Sequence, residues 1–221
     1  MPKAVIFDVD GTLIDTVDFH ADAWVRTFRR YGIEVGHDAV RSQIGKGGDQ
    51  LMPVFLPKDV VERQGAEIEA FRKDLFVRDY VPRIRPFPCV RALFERLRRE
   101  GRRIVLASSG KADEIERYRR IAGIADLLDG ATSSDDAERS KPHPDIFEAA
   151  LARIAPIGPE DAVAVGDTPY DAEAAGKAGL RTIGLLCGGF PEPDLRRAGC
   201  IAIYRDPEDL LKNYERSPLA A

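Results

Sequence analysis

Short runs of β-branched and other apolar residues alternate with longer helical segments along most of the chain. This alternation is typical of a parallel β-sheet that helices cover on both faces. The runs that we predict to be strands are 4–7, 103–107, 127–131, 162–165, 181–186 and 200–203. Helices are predicted at 90–100, which ends before Gly101, and at 144–154, which begins with Pro and Asp. The pattern therefore predicts an α/β fold with a doubly wound, Rossmann-like parallel sheet.

The alternation is interrupted between residues 16 and 81, where helical periodicity continues without a convincing strand. Apolar residues recur every three or four positions over 17–31, so this stretch is predicted to be an amphipathic helix. A second long helix is predicted over 58–80. The interval therefore indicates a helical unit inserted into the α/β fold.

The segment 82–88 holds three prolines in seven residues and is expected to lead back from the inserted unit. Proline lacks an amide donor and fixes its own backbone, which disfavours both a helix and a central strand here. We therefore predict two domains, an α/β core of residues 1–15 and 82–221 and a helical cap of residues 16–81.

Composition narrows the class of protein. Of the 221 residues, 44% are hydrophobic and 32% are charged, which is typical of a globular chain. A net charge of −4 gives no basic excess for nucleic acid, and the longest apolar runs are too short to cross a membrane. Cys89, Cys187 and Cys200 lack the spacing of a zinc site or a disulfide framework. The apolar run 4–7 is too short for a signal peptide, so we expect a cytoplasmic protein.

Acidic residues follow two of the predicted strands directly. Asp8 and Asp10 are two positions apart on an extended chain, so both are expected to point into the crevice at the carboxyl end of the sheet. Alone, they could belong to a solvated turn, and Asp167 and Asp171 could be ordinary helix caps. On neighbouring strand ends, however, such carboxylates repel by about 4 kcal/mol per pair. A divalent cation removes this repulsion, and carboxylates are ligands that Mg²⁺ prefers.

Two further segments offer groups that bind phosphate. Ser108 and Ser109 follow the strand 103–107 and supply hydroxyl and amide donors, although Ser-Ser-Gly alone could be an ordinary loop. Lys141 precedes a predicted helix and is one of eight lysines in the chain, although a single loop lysine is usually solvated. Together with the acids, these donors predict a phosphate site at one edge of the sheet.

The order of these segments resembles the haloacid dehalogenase-like hydrolase superfamily over essentially the whole chain. That superfamily carries DxDxT, Ser, Lys and GDxxxD motifs in this order, with a helical cap between the first two. The corresponding residues here are DVDGT at 8–12, Ser108, Lys141 and GDTPYD at 166–171. The stretches 15–24 and 141–147 are most similar to the phosphoglycolate phosphatase and β-phosphoglucomutase branch.

The resemblance implies a role for each motif residue. Asp8 would be the nucleophile that becomes an aspartyl-phosphate, and Asp10 would be the general acid and base. Mg²⁺ would be bound by the Asp8 carboxylate, the Asp10 main-chain carbonyl and Asp167, with Asp171 in the outer shell. Lys141 would offset the charge shared by Asp8 and the phosphate.

Three further core residues are expected to serve the phosphate. By the same resemblance, Thr12 and Ser108 would hold phosphoryl oxygens or orient the acids. Ser109 and Lys141 are predicted to contact the phosphate as well. The sequence thus predicts hydroxyl, amide and ammonium donors around one phosphoryl group.

Candidate residues in the cap are less specific. His20 could simply pack beside the apolar stripe, but it matches a histidine that gates the acid/base in the mutase branch. Lys46 is a conceivable Schiff-base lysine of the phosphonoacetaldehyde hydrolase type. The mutases use an arginine in this cap loop, and 45–51 holds none, so Lys46 could replace it only as a point charge. Lys73, with Arg72 beside it on the second long helix, could reach the substrate, although a solvated charged face is the ordinary interpretation.

The function that these observations predict is a Mg²⁺-dependent phosphatase for a small phosphorylated metabolite, of the phosphoglycolate or sugar phosphate type. Dehalogenases proper lack the second acid of the first motif, so Asp10 favours phosphoryl transfer over carbon–halogen cleavage. A β-phosphoglucomutase-type mutase, a phospho-acceptor signalling domain and an inactive binding protein remain as alternatives. We expect no nucleic acid or membrane partner, and a monomer or weak homodimer.

Overall fold

A parallel β-sheet of six strands runs through the computed structural model, which describes residues 1–220. The strands are β1 (Ala4–Phe7), β2 (Arg103–Ala107), β3 (Gly130–Thr132), β4 (Ala162–Gly166), β5 (Arg181–Leu185) and β6 (Cys200–Tyr204). Their spatial order is β3-β2-β1-β4-β5-β6, and every neighbouring pair is parallel. This is the strand order of a doubly wound Rossmann-like sheet, so the predicted fold class is confirmed.

Ten α-helices accompany the sheet in the described residues 1–220. They are α1 (Val17–Arg30), α2 (His37–Arg41), α3 (Gly48–Phe55), α4 (Lys58–Asp79), α5 (Val90–Arg99), α6 (Ala112–Ile121), α7 (Asp145–Arg153), α8 (Pro169–Lys177), α9 (Glu192–Arg197) and α10 (Pro207–Lys212). None of the helices in this part of the chain has the length and apolarity that crossing a membrane requires.

Helices α1 to α4, here called the inserted helices, all lie between β1 and β2. They enclose an apolar cluster of their own that includes Trp24, Phe28, Leu51 and Ile68. As expected, they contain no strand of the sheet within the described residues. The division into a core domain and a cap stays a prediction, to which this separate packing gives support.

The third predicted strand is wrong at its start. It was expected over 127–131, but Ala125–Leu127 form a 3-10 turn in which the amide of Leu127 donates to the carbonyl of Ile124 at 3.0 Å. Pairing with β2 begins only at Gly130. Leu127, Leu128 and Ala131 are only partly buried against the core, and the turn takes up the first residue of the predicted strand.

The proline-rich segment also differs from its prediction. Val81–Arg83 form a 3-10 turn. Pro82 is tolerated there because the first residues of a helix have amides without intrahelical partners. The expected end of α5 is confirmed, since Gly101 has a φ of +73° and its amide donates to the carbonyl of Arg98.

Both faces of the sheet are buried. In β1, Val5 and Phe7 pack with the larger apolar cluster, whereas Ala4 and Ile6 pack with an alanine-rich cluster on the other face. A parallel sheet covered on both faces needs such continuous apolar strands, which explains the unbroken run of the sequence. Strands β1 and β4 therefore carry no polar side chain, and Asp8 and Asp167 follow them at their carboxyl ends.

Candidate active site

Sheet register brings two of the predicted acids together. Phe7 of β1 lies opposite Val165 of β4, and the Asp8 amide donates to the Val165 carbonyl at 2.9 Å. Carboxylate oxygens of Asp8, Asp167 and Asp171 all lie within 4.8 Å of one another. The three residues are 5%, 0% and 1% exposed. The strand ends thus concentrate three carboxylates in one buried place.

Lys141 supplies a single positive charge to this group. Its side chain is fully buried, and its Nζ atom lies 2.5 Å from Oδ1 of Asp8 and 2.8 Å from Oδ1 of Asp171. The same ammonium donates to the carbonyl of Ala107 at the end of β2. We call Asp8, Asp167, Asp171 and Lys141 the acid floor. One ammonium faces three carboxylates there, so negative charge is in excess.

The pKa values of Asp8 and Asp167 are both raised, in line with this excess of negative charge. Burial and the neighbouring Asp171 charge raise the pKa of Asp8 to about 7, although Lys141 opposes the shift. Burial, with the charges of Asp8 and Asp171, raises the pKa of Asp167 well above its ordinary value. The acid floor therefore requires additional positive charge to hold all three carboxylates ionised.

The oxygen atoms of Asp167 fit a metal ligand. Thr12 donates to Oδ1 at 2.8 Å, whereas Oδ2 is buried without a hydrogen-bond partner. Gly11, with a φ of +82°, and Gly188 lie so close that a Cβ on either would come within 2.4 Å and 1.6 Å of Oδ2. A buried, unpartnered carboxylate oxygen among two other carboxylates suits a hard divalent cation such as Mg²⁺.

Asp171 both caps a helix and forms an ion pair, each through a different carboxylate oxygen. Its Oδ2 accepts hydrogen bonds from the amide and the hydroxyl of Thr168, at 3.0 and 2.7 Å, and so caps helix α8. Its Oδ1 forms the ion pair with Lys141. Asp171 therefore caps α8 and also pairs with Lys141, and its role at a metal site stays a prediction.

Asp10 lies apart from the acid floor, in contact with the inserted helices. Its Oδ1 accepts a hydrogen bond from Thr16 at 2.7 Å and lies 3.0 Å from Nε2 of His20. Burial acts to raise the pKa of Asp10, but the charge and hydrogen bond of His20 and the Thr16 hydroxyl lower it overall. His20 stacks on Phe76 with ring centroids 4.1 Å apart, which fixes its approach to Asp10.

A cavity of about 240 Å³ lies between the sheet edge and the inserted helices. Asp8, Asp10, Ser108 and Ser109 line it from the core side. Ser108 is buried and accepts from the amide of Gly110 at 3.0 Å. The two predicted serine donors therefore share one cavity with Asp8 and Asp10, whereas Asp167, Asp171 and Lys141 lie behind its described wall.

The position of Thr12 fits only one of the two roles predicted for it. Its hydroxyl donates to Asp167, and the residue lies outside the cavity wall that the described residues form. This placement favours orientation of an acid over contact with a phosphoryl oxygen.

The two candidate lysines of the inserted helices have different surroundings. Lys46 lines the cavity, donates to Gln43 at 2.6 Å and lies 4.6 Å from the ring centroid of Tyr170. Burial lowers its pKa. Lys73 instead pairs with Asp113 at 3.0 Å, with both side chains more than a third exposed, and lies outside the cavity wall as described.

Three buried residues lie at the same boundary. The sequence analysis named one of them, Arg72, only beside Lys73 and favoured a solvated face, and it did not consider Glu114 or Tyr118. Arg72 on α4 is 6% exposed, and its Nη1 lies 3.4 Å from Nδ1 of His20. Glu114 and Tyr118 on α6 are also buried, and the Tyr118 hydroxyl lies 3.4 Å from Nε2 of His20. We call His20, Arg72, Glu114 and Tyr118 the interface cluster.

A signal for Arg72 was present in the sequence. It occupies the buried stripe of α4 between Ile68 and Phe76, at steps of four residues. A charged residue on an apolar stripe needs a buried partner. The spacing was thus a signal that Arg72 is buried with a partner, and the solvated face expected for it is wrong.

Comparison with known proteins agrees with this geometry. A family model described as haloacid dehalogenase-like hydrolase matches residues 2–179. Phosphoglycolate phosphatase of Nitrosospira multiformis is 29% identical over 220 residues, which cover 97% of this chain and 96% of that protein. A phosphorylated carbohydrates phosphatase of Thermotoga maritima is 28% identical over 215 residues, covering 95% and 96%.

A solved structure agrees as well. The crystal structure of a hydrolase from Pseudomonas syringae superposes with a TM-score of 0.90 at 26% identity, covering 97% of this chain and 98% of that one. The chain therefore belongs to the haloacid dehalogenase-like hydrolase family.

Proposed function

We propose that this haloacid dehalogenase-like hydrolase is a Mg²⁺-dependent phosphatase that hydrolyses a small phosphorylated metabolite through an aspartyl-phosphate on Asp8. The observation that carries the proposal is the pairing of two carboxylates in one cavity. Asp8 lies buried against Lys141, while Asp10 is held separately by Thr16 and His20. One carboxylate can thus attack while the other transfers protons. The names of the two relatives, both phosphatases, support the same reaction class.

In the first step, a carboxylate oxygen of Asp8 attacks the phosphorus atom, and the ester bond to the leaving oxygen breaks. Lys141 binds Oδ1, so Oδ2 would be the attacking oxygen. Asp10 would donate a proton to the leaving oxygen, and the His20 imidazole at 3.0 Å could supply that proton to Asp10.

In the second step, Asp10 would accept a proton from water, and the water oxygen would attack the phosphorus atom. The bond between phosphorus and Asp8 then breaks, which releases inorganic phosphate and restores the carboxylate. The lowered pKa of Asp10 keeps it ionised, which suits it to the base role of this step.

Asp8, Asp167 and the main-chain carbonyl of Asp10 would hold Mg²⁺, and Asp171 would orient Lys141 from the outer shell. Bound Mg²⁺ would supply the positive charge that allows a phosphate dianion to approach the carboxylates. Ser108 and Ser109 would donate hydrogen bonds to phosphoryl oxygens from the cavity wall. The inserted helices would form a cap that limits the access of bulk water to the cavity.

The test is a screen of phosphorylated metabolites, with p-nitrophenyl phosphate as a generic ester, for phosphate release with Mg²⁺ and with EDTA. We expect steady, Mg²⁺-dependent release over many turnovers. A single stoichiometric phosphorylation without turnover would instead indicate a phospho-acceptor domain. No phosphorylation and no release from any ester would contradict the phosphatase proposal.

A further inference from the structure

Two buried side chains of opposite charge face each other across the boundary between the inserted helices and the core. Arg72 and Glu114 are 6% and 4% exposed, and both line the cavity that holds Asp8 and Asp10. Nη2 of Arg72 lies 3.7 Å from Oε1 of Glu114. This distance is beyond a direct hydrogen bond, so the ion pair leaves its polar atoms incompletely satisfied.

Each of the two side chains carries an atom without a hydrogen-bond partner among the described residues. These atoms are Nε of Arg72 and Oε1 of Glu114. The other Glu114 oxygen accepts from the amide of Lys111 at 3.3 Å. Leaving a buried charged group unpaired is costly, so this pair suits a ligand group that both accepts and donates hydrogen bonds.

We propose that Arg72 and Glu114 recognise a hydroxyl group on the leaving group of the substrate. A hydroxyl oxygen can accept from the guanidinium while its hydrogen is donated to Oε1 of Glu114. A carboxylate has only acceptors and is repelled by Glu114. The inference rests on the proposed phosphatase function and names its substrate class as a phosphate monoester of a polyhydroxylated compound, not of a short hydroxy acid such as glycolate.

The remaining charges of the cavity wall favour the same class. Apart from Asp8 and Asp10, the described wall carries four acids, Asp49, Glu69, Glu114 and Glu138, against three bases, Lys46, Arg72 and Lys111. The Lys111 ammonium is also paired with Asp135 at 3.0 Å. Glu69 is a second carboxylate near the guanidinium, with Oε1 4.0 Å from Nη2 of Arg72. This wall offers little net positive charge to an anionic leaving group.

The first test uses the parent protein with Mg²⁺. The value of kcat/KM is measured for glucose 6-phosphate, ribose 5-phosphate, glycerol 3-phosphate, their available deoxy analogues, 2-phosphoglycolate and p-nitrophenyl phosphate. We expect the best hydroxylated ester to exceed 2-phosphoglycolate by about 100-fold or more, since a site built for a hydroxyl rejects ligands that leave its polar groups unpaired. Removal of the recognised hydroxyl should lower the value by a similar factor.

The second test is Glu114→Gln, which keeps the shape of the side chain. We expect about 10- to 100-fold lower kcat/KM for the best hydroxylated ester and less than about threefold change for p-nitrophenyl phosphate. The matched control is Asp113→Asn, which breaks the Lys73–Asp113 pair between the same two helices at the surface. It should leave the order of substrates unchanged.

Three results would overturn the inference. The first is a parent that prefers 2-phosphoglycolate, and the second is a set of deoxy analogues hydrolysed as fast as their parents, as expected if only water bridges the pair. The third is an equal loss of kcat/KM on every ester in Glu114→Gln, as expected if the ion pair only holds the two helices together. If Glu114→Gln does not fold, the parent panel decides alone. Absence of hydrolysis on every ester would instead contradict the phosphatase proposal.

Discussion

Asp8 of the acid floor borders the same cavity as His20, Arg72 and Glu114 of the interface cluster, but the two groups are built in different ways. The floor is formed by segments at the ends of strands or beside them, and Lys141 contacts its acids at 2.5 and 2.8 Å. The interface cluster joins α1 and α4 to α6 through contacts of 3.4 to 3.7 Å. The floor is therefore fixed by sheet register, whereas the interface cluster depends on how the inserted helices sit on the core.

This difference assigns separate tasks to the two regions. A closely paired, buried charge set is suited to chemistry that needs fixed geometry. Longer contacts with unpartnered atoms, such as Nε of Arg72, leave room for a ligand. We therefore expect floor variants to lose turnover on every substrate, and interface variants to change the choice among substrates.

The largest effect is expected at the floor from Asp8→Asn. An amide is a poor nucleophile, so kcat should fall by about 10⁴-fold or more on every ester while circular dichroism stays native. The exposed Asp15→Asn, later in the same loop, is the control and should retain activity. Appreciable turnover by a folded Asp8→Asn protein would remove the covalent mechanism.

Asp167→Ala tests the metal assignment of the floor. Loss of its unpartnered oxygen should abolish Mg²⁺ binding measured by calorimetry and lower kcat by about 10³-fold. Added Mg²⁺ should raise the thermal midpoint of the parent but not of this variant, because only the parent binds the ion. Mg²⁺ should also support turnover better than Ca²⁺, whose looser coordination tolerates poor geometry.

The exposed Asp126→Ala is the matched control for the metal assignment and should bind Mg²⁺ as the parent does. Turnover that is unchanged by EDTA, or full Mg²⁺ affinity in Asp167→Ala, would show that the assignment is wrong.

Lys141→Met tests how far the floor depends on its single cation. Removing one partner of a buried ion pair leaves uncompensated charge, so the free energy of unfolding without Mg²⁺ should fall by about 3–5 kcal/mol in urea titration. The exposed Lys177→Met should change it by less than about 0.5 kcal/mol. A Lys141→Met protein as stable as the parent would mean that the acids are neutral in the absence of metal.

Lys46→Ala tests whether the inserted helices retain a second phosphate. The loop 45–51 supplies one cation without the bidentate geometry of arginine, so hydrolysis should outrun isomerisation in the parent. The assay compares phosphate release with glucose 6-phosphate formation from β-glucose 1-phosphate and a bisphosphate primer. For Lys46→Ala we expect KM to rise by about 10-fold or less. Faster isomerisation in the parent that collapses in Lys46→Ala would favour a mutase.

The smallest effect is expected from Tyr170→Phe. Its hydroxyl donates to the carbonyl of Ser42 at 2.7 Å and so joins the core to the loop that carries Lys46. Loss of one partly exposed hydrogen bond should lower the free energy of unfolding by about 1 kcal/mol or less, and the ring should still face the Lys46 ammonium. A change in kcat/KM greater than tenfold would show that this contact controls how the loop with Lys46 sits on the core.

The features that depend on local chain geometry could be predicted from the sequence. Apolar runs predicted the sheet because buried parallel strands need continuous apolar residues. Asp8 and Asp167 could be expected to meet because each follows a strand directly, and parallel strands end at the same edge. The order of the motifs gave the family, which the family model confirms.

Other contacts between distant side chains became visible only in the folded protein. Thr12 donates to Asp167, 155 residues away, and Arg72 faces Glu114 from a different helix. The local sequence placed Arg72 on a buried stripe but did not specify its partner. Such contacts depend on how the inserted helices pack on the core, and helical periodicity carries no information about that packing. For this reason the residues of the acid floor could be chosen from motifs, whereas the pairing of Arg72 with Glu114 required the fold.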